Sequence, residues 1–117
     1  MAFLTAEYAK GNYVIAGGDF NQTFPQNPYP VIDAENWAPD VLEADMLPQG
    51  WQFAVDADTP TCRLLNQPFS GSYDDTQLYI IDGFIVSPNV QVDAVSTLDT
   101  RFRYTDHNPV QLTVTLQ

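Results

Sequence analysis

Basic residues are scarce in this chain, which has 4 lysines and arginines against 15 aspartates and glutamates among its 117 residues. The formal net charge of -11 would repel an extended phosphate backbone unless metal ions or another polypeptide supplied positive charge. The composition therefore disfavours binding of a polyanion by this chain alone.

Cysteine, long apolar runs and targeting signals are also missing. Cys62 is the one cysteine, which excludes an internal disulfide and a zinc cluster built from several cysteines, and it indicates no compartment. No run of residues is apolar and long enough to cross a bilayer. The first ten residues, MAFLTAEYAK, lack the basic start and apolar centre of a signal peptide. The length predicts one domain or part of one.

Local patterns predict short elements that alternate along the chain. We expect a short helix over residues 2–10 and a second one around Trp37–Ala44. The SPNV stretch that starts at Ser87 predicts a hairpin turn between two strands. The segments with strand patterns are 13–18, 51–56, 78–87, 90–96 and 110–116.

The stretch YVIAGGDFN, from Tyr13 to Asn21, is an apolar block that ends in two glycines and two polar residues. Glycines allow sharp turns and close approach, and the carboxyl end of a strand is a common place for ligand sites in α/β folds. Asp19 and Asn21 are therefore candidate ligand-binding residues. An ordinary turn, in which Asp19 bonds its own backbone, explains the same residues equally well.

Asp82 and His107 each need a hydrogen-bond partner, and each is a candidate partner for the other. Asp82 lies inside an apolar strand, where an unpaired carboxylate would cost several kcal/mol or become protonated. His107, the only histidine, follows Asp106 and precedes Asn108 in a loop before the last strand. A solvated or structurally satisfied imidazole is the simpler interpretation of a single histidine. A carboxylate that orients the imidazole explains both residues at once.

Three motifs in the same order resemble those of the endonuclease/exonuclease/phosphatase superfamily, the fold of deoxyribonuclease I. GGDFN is similar to its GDFN motif, and IDGFIVS to its I-D-x-I/F-x-x-S strand. TDHNPV is similar to its S-D-H-x-P-V motif, with Thr105 in place of serine. The stretch TPTCR, residues 59–63, also resembles a T-x-R segment that commonly precedes the second motif. The similarity runs over nearly the whole chain.

The resemblance implies a role for each matching residue. Asp19 would orient and activate the attacking water, and Asn21 would donate a hydrogen bond to a phosphate oxygen. Asp106 would help to hold Mg²⁺ or Mn²⁺, directly or through water. His107 would contact the scissile phosphate, and Asp82 would orient it. The superfamily suggests no role for the next residue, Asn108, for which a contact within the loop is expected.

The resemblance also implies a fold, which is α/β (α+β). Residues 1–117 would form the C-terminal half of a four-layer αββα sandwich, with one mixed, mainly antiparallel sheet and one or two short helices. The other half of such proteins supplies an asparagine, a metal-binding glutamate and a further histidine or tyrosine, none of which is found here. We therefore expect the chain to be a fragment.

Two functions remain open at this stage. The first is part of a metal-dependent hydrolase of a phosphodiester or phosphomonoester, inactive in isolation. The second is a non-catalytic binding or assembly module that retains the motifs. An apolar sheet face including Ile15, Phe84 and Val86 would need cover from the missing N-terminal half or from a second copy of the chain, as a homodimer. Nucleic acid would be a substrate only of the full-length protein.

Overall fold

The computed structural model describes residues 1–117 as an α+β fold made mostly of short antiparallel strands. The single α-helix is too short to cross a membrane. Two short 3-10 turns cover Ala44–Met46 and Tyr73–Asp75. The helix and strands are α1 (Ala2–Ala9), β1 (Ile15–Asp19), β2 (Gln52–Ala54), β3 (Cys62–Arg63), β4 (Leu78–Tyr79), β5 (Asp82–Val86), β6 (Val90–Thr97) and β7 (Val110–Leu116).

The α+β class is confirmed, but the strands form three sheets, β1-β5-β2, β3-β4 and β6-β7, where the sequence predicted one mixed sheet. Every strand pairing is antiparallel. The predicted strand 78–87 is divided because the carbonyls of Ile80 and Ile81 accept hydrogen bonds from Phe24 and Phe20, which lie outside any strand. β4 and β5 can therefore pair with different partners.

Two local predictions are also corrected. No helix forms at Trp37–Ala44, because the backbone there is extended and exchanges hydrogen bonds with Thr23, whose N–H donates to Asp40. The SPNV stretch does turn, with the Val90 N–H bonded to the Ser87 carbonyl at 3.0 Å. That turn does not join a hairpin, since β5 and β6 belong to different sheets.

The main core covers one side of the β1-β5-β2 sheet. Its buried members include Phe24, Phe53 and Ile85, and the Phe24 and Phe53 rings meet edge to face with centroids 5.5 Å apart. Side chains of α1, including Tyr8, pack against it, with Tyr8 edge-on to Trp51. This core fixes β5 between its two neighbours. β2 pairs with β5 only as far as Phe84, and the Asp82 end of β5 is paired with β1.

The other face of this sheet was predicted to be an open apolar surface including Ile15, Phe84 and Val86. Ile15 is 44% exposed, as this prediction requires, and Phe84 is partly buried. Val86 is completely buried, so the open surface is smaller than expected. The Phe84 ring occupies the space beside Gly17, where an added Cβ would lie 2.6 Å from the ring.

Strands β6 and β7 form a separate two-stranded unit, called here the hairpin. Its register shifts by one residue between Val92 and Ala94, which leaves Asp93 as the extra residue of a β-bulge. The strand predicted over 110–116 is present, with Leu112 and Val114 partly buried and Gln111, Thr113 and Thr115 exposed. The hairpin lies apart from the main hydrophobic core.

Candidate active site

Asp19 and Asp82 face one another across strands β1 and β5. They are direct partners in the antiparallel register, and the next hydrogen bond runs from the Phe20 N–H to the Ile81 carbonyl at 2.9 Å. This pattern marks a pair whose side chains lie especially close. Two carboxylates placed directly opposite each other destabilise a sheet unless a proton or cation lies between them.

His107 and Asp106 reach these carboxylates from the loop before β7. His107 forms an isolated antiparallel bridge with Cys62 of β3. Two backbone hydrogen bonds flank the bridge, from the Arg63 N–H to the Asp106 carbonyl at 3.2 Å and from the Asn108 N–H to the Thr61 carbonyl at 2.8 Å. The backbone that carries His107 is therefore fixed to β3 on both sides.

Asn108 makes the loop contacts that were expected of it. Its side chain is 1% exposed, and its Oδ1 accepts hydrogen bonds from the N–H and hydroxyl of Thr100 at 3.1 and 2.6 Å. Its Nδ2 donates to the Pro60 carbonyl at 2.9 Å. Asn108 thus ties the loop before β7 to Thr100 and to Pro60, and its side-chain hydrogen bonds are all made within these loops.

The imidazole of His107 lies at the centre of the site. Its Nδ1 is 2.9 Å from Asp82 Oδ2, which is the contact predicted from the sequence. Its Nε2 is 3.9 Å from Asp19 Oδ2 and also 3.9 Å from Asp106 Oδ2. With Asp82 ionised, Nδ1 carries the proton of the neutral ring, and Nε2 presents a lone pair to the other carboxylates.

Burial and charge shift the pKa of both members of this pair. Burial raises the pKa of Asp82, although hydrogen bonds with His107 and Thr61 partly oppose the rise. Burial alone would lower the pKa of His107. The hydrogen bond with Asp82 and the charges of Asp82, Asp106 and Asp19 outweigh it, so the pKa of His107 is raised. The site therefore favours a protonated imidazole.

Asn21 takes a less direct part in the arrangement. Its backbone N–H donates to Asp19 Oδ1 at 2.8 Å, which is the ordinary turn considered from the sequence, and its φ is 52°. The Asn21 side chain is exposed and makes no hydrogen bond. Asp19 agrees with both the turn and the ligand-site interpretations of this stretch, because Oδ1 closes the turn while Oδ2 faces His107. The preceding Gly18 has φ of 151°, a conformation that L residues rarely adopt.

Two residues of the site were missed in the sequence. Thr61 Oγ1 accepts hydrogen bonds from the N–H groups of Ile81 and Asp82 at 3.0 and 3.2 Å, which supports the start of β5. Cys62 Sγ lies 3.7 Å from His107 Nε2. In the sequence, Cys62 bears only on disulfides and cysteine clusters, and the resemblance of TPTCR assigns it no role. No local pattern predicts the contact of Cys62 with His107, which is 45 positions away in the sequence.

Cys62 does not resemble an activated nucleophile. Burial raises the pKa of its thiol to about 12, and the charges of Asp106, Asp82 and Asp19 act in the same direction. A buried thiol among carboxylates stays protonated, whereas reactive cysteines lie in electropositive, partly exposed surroundings.

Two groups of side chains could hold a metal ion, and both include His107. One contains Cys62 and Asp106, the other Asp19 and Asp82, with ligand atoms in each group within 4.8 Å of one another. For a hard cation such as Mg²⁺ the fit is partial. Asp82 is engaged by His107, which leaves Asp106 and Asp19 as separate oxygen donors.

The site opens to the surface through a depression of about 630 Å³. Asp19, Asp82 and His107 lie at its edge with the Phe84 ring beside them, which leaves room for a substrate group to approach Nε2. The chain matches no protein-family model, no curated protein and no solved structure.

Proposed function

We propose that this chain carries the histidine and carboxylate part of a metal-dependent phosphoesterase, which hydrolyses a phosphodiester or phosphomonoester with an activated water. One observation carries the proposal. Asp82 holds His107 at 2.9 Å, so that Nε2 is directed toward two further carboxylates beside an open depression. The resemblance of three motifs to the endonuclease/exonuclease/phosphatase superfamily supports the same chemistry.

In this proposal His107 acts on the phosphate while Asp82 positions it. A protonated imidazole can donate from Nε2 to a phosphate or leaving-group oxygen and stabilise the charge that develops there. The raised pKa of His107 favours retention of that proton. Asp19, whose Oδ2 lies 3.9 Å from Nε2, would accept the proton of the attacking water. Asn21 would contact a phosphate oxygen only after its exposed side chain turned toward the site.

Asp106 would hold Mg²⁺ or Mn²⁺, together with waters and phosphate oxygens. When bound, the metal supplies positive charge that neutralises the phosphate. A single free carboxylate rarely binds such a cation tightly, so we expect further ligands from outside these residues. The isolated chain is then inactive or nearly so.

The same reasoning extends to partners. Further ligands and cover for the exposed side of Ile15 would come from an N-terminal half of the protein or from a second copy of the chain. The net charge of -11 favours a small phosphoester over a long nucleic acid, unless the partner is basic. Native mass spectrometry distinguishes the two partners, because a homodimer has twice the mass of one chain.

The decisive experiment uses the longest natural protein that contains this sequence, assayed with Mg²⁺ or Mn²⁺ on phosphodiester and phosphomonoester substrates. His107→Ala should lower kcat by at least about two orders of magnitude while the far-UV circular dichroism is unchanged. Asp82→Asn should lower kcat less and move the acidic and basic limbs of the pH profile. Asp45→Asn removes one exposed carboxylate outside the site and should change nothing.

Full activity in the His107→Ala protein would refute the proposed role of the imidazole. A longer protein that turns over no phosphoester, yet keeps a binding partner regardless of His107, would support the binding or assembly module. Robust turnover by the isolated chain, lost in Asp19→Ala, would keep the chemistry and reject the need for a partner.

A further inference from the structure

Three different donor atoms converge at Nε2 of the imidazole site. Cys62 Sγ, His107 Nε2 and a carboxylate oxygen of Asp106 all lie within 4.8 Å of one another. Sγ is 3.7 Å from Nε2, and Nε2 is 3.9 Å from Asp106 Oδ2. A thiol, an imidazole and a carboxylate together form a mixed set of sulfur, nitrogen and oxygen donors.

The separations are close to those around a tetrahedral zinc ion. Zinc bond lengths of about 2.3 Å to sulfur and about 2.0 Å to nitrogen place the two donors about 3.5 Å apart. The distance between Cys62 Sγ and His107 Nε2 is within a few tenths of an ångström of that value. Nε2 and Asp106 Oδ2 are 3.9 Å apart, so the partly exposed Asp106 side chain would have to move closer by about half an ångström.

The backbone around these donors is already ordered. Cys62 and His107 are opposite residues of an antiparallel bridge, with the flanking hydrogen bonds that bring such side chains close together. Asp82 accepts from Nδ1 of the same imidazole. A carboxylate on the second ring nitrogen is the usual support of a zinc-bound histidine, because it fixes the tautomer that leaves Nε2 free.

We propose that Cys62, His107 and Asp106 bind Zn²⁺, with water or Asp19 as the fourth ligand. Sulfur and imidazole donors favour zinc over the hard cations Mg²⁺ and Mn²⁺. Binding requires a Cys62 thiolate and a neutral His107 ring, so it releases the thiol proton and, from a protonated imidazole, the Nε2 proton as well, with no change of oxidation state. The three surrounding carboxylates oppose a free thiolate and favour a bound cation. Zn²⁺ would occupy Nε2 of His107 and the carboxylate of Asp106, the groups assigned above to the phosphate and to Mg²⁺, so this proposal is an alternative to that chemistry and does not depend on it.

Cobalt spectroscopy tests the site directly. The tag-free, reduced chain is titrated with Co²⁺, which takes the place of Zn²⁺ and reports its ligands by absorption. We expect a sulfur-to-cobalt charge-transfer band in the near ultraviolet, intense tetrahedral bands in the visible, and loss of both on adding Zn²⁺ but not Mg²⁺. Cys62→Ser should remove the charge-transfer band and weaken Zn²⁺ binding by at least about 100-fold.

Two further variants sharpen the result. Asp82→Asn should keep the charge-transfer band and weaken Zn²⁺ binding by about 10-fold to 100-fold, as expected of a residue that only supports the ligand. Asp45→Asn should bind as the unaltered chain does. A folded, reduced chain that shows no charge-transfer band with Co²⁺ would overturn the proposal, and this result does not depend on whether any variant folds. Unchanged Zn²⁺ affinity in a folded Cys62→Ser protein would overturn it equally.

Discussion

The β1-β5-β2 sheet and the hairpin are built from similar residues but are packed very differently. In β5, Ile85 and Val86 are buried, and neighbouring strands flank β5 on both sides. In the hairpin, Val114 is only partly buried and Leu116 is 53% exposed. β-branched and aromatic residues favour strands in both regions, whereas burial depends on whether other elements cover them.

The candidate site lies at the border between these two regions. Asp19 and Asp82 belong to the packed sheet, while Asp106 and His107 belong to the loop that leads into the hairpin. The distance between Nδ1 and the Asp82 carboxylate therefore depends on how firmly the loop is attached. The following variants test that comparison, from the largest expected effect to the smallest.

Removal of the Asn108 side chain should have the largest effect, because this buried residue ties the loop before β7 to Thr100 and to Pro60. Asn108→Ala leaves the Thr100 and Pro60 groups without their buried partner. We expect the free energy of unfolding to fall by about 3 kcal/mol. Urea denaturation measures it, with Asn66→Ala as the control, since the Asn66 hydrogen bond to Asp33 is exposed. A loss below that of Asn66→Ala would show that the loop is held by other contacts.

One substitution made in both regions compares their packing directly. Val86→Ala should lower the free energy of unfolding by about 2 kcal/mol, because it opens a cavity at a fully buried position. Val114→Ala, in the partly exposed hairpin, should cost less than about 1 kcal/mol. Equal losses, measured by urea denaturation, would mean that the hairpin is covered as well as the sheet in solution.

Two glycines compare the faces of the β1-β5-β2 sheet. A Cβ at Gly83 would lie 2.5 Å from Val55 and 3.1 Å from the Ala54 carbonyl, so Gly83→Ala should cost about 1–2 kcal/mol. A Cβ at Gly17 would clash only with the Phe84 ring, whose side chain is partly exposed, because the nearest backbone atom, the Gly83 carbonyl oxygen, is 3.7 Å away. We expect a smaller loss for Gly17→Ala, and thermal unfolding of the two proteins decides the order.

The pH dependence of stability should show the smallest effect. The raised pKa of His107 contributes stability that is fully present below pH 6.5 and is lost as the pH rises through the folded pKa. The raised pKa of Asp82 likewise contributes stability that is fully present below pH 3.8 and is lost as the pH rises through its folded pKa. Urea denaturation in a chelator across this range should give a downward slope above pH 6.5 that is absent in His107→Gln. An unchanged slope in that variant would contradict the assignment.

The sequence predicted strands that overlap all those observed except the short β3, and it predicted the Asp82–His107 contact. A buried acid and a single histidine need partners, and β-branched alternation marks a strand. The division into sheets could not be predicted in this way. It depends on Ile80 and Ile81 bonding to residues outside any strand, and pairings between distant segments leave no periodic pattern. The position of Cys62 beside His107 was missed for the same reason.

The bulge at Asp93 has a consequence for how the protein behaves at high concentration. Each strand of a two-stranded unit has one unpaired edge, and unpaired edges invite strand addition and aggregation. The bulge interrupts the regular spacing of β6, and it places an exposed carboxylate on that strand. A second chain that added its own strand there would meet a broken ladder and a like charge. The hairpin can thus remain thinly covered without becoming a template for fibres.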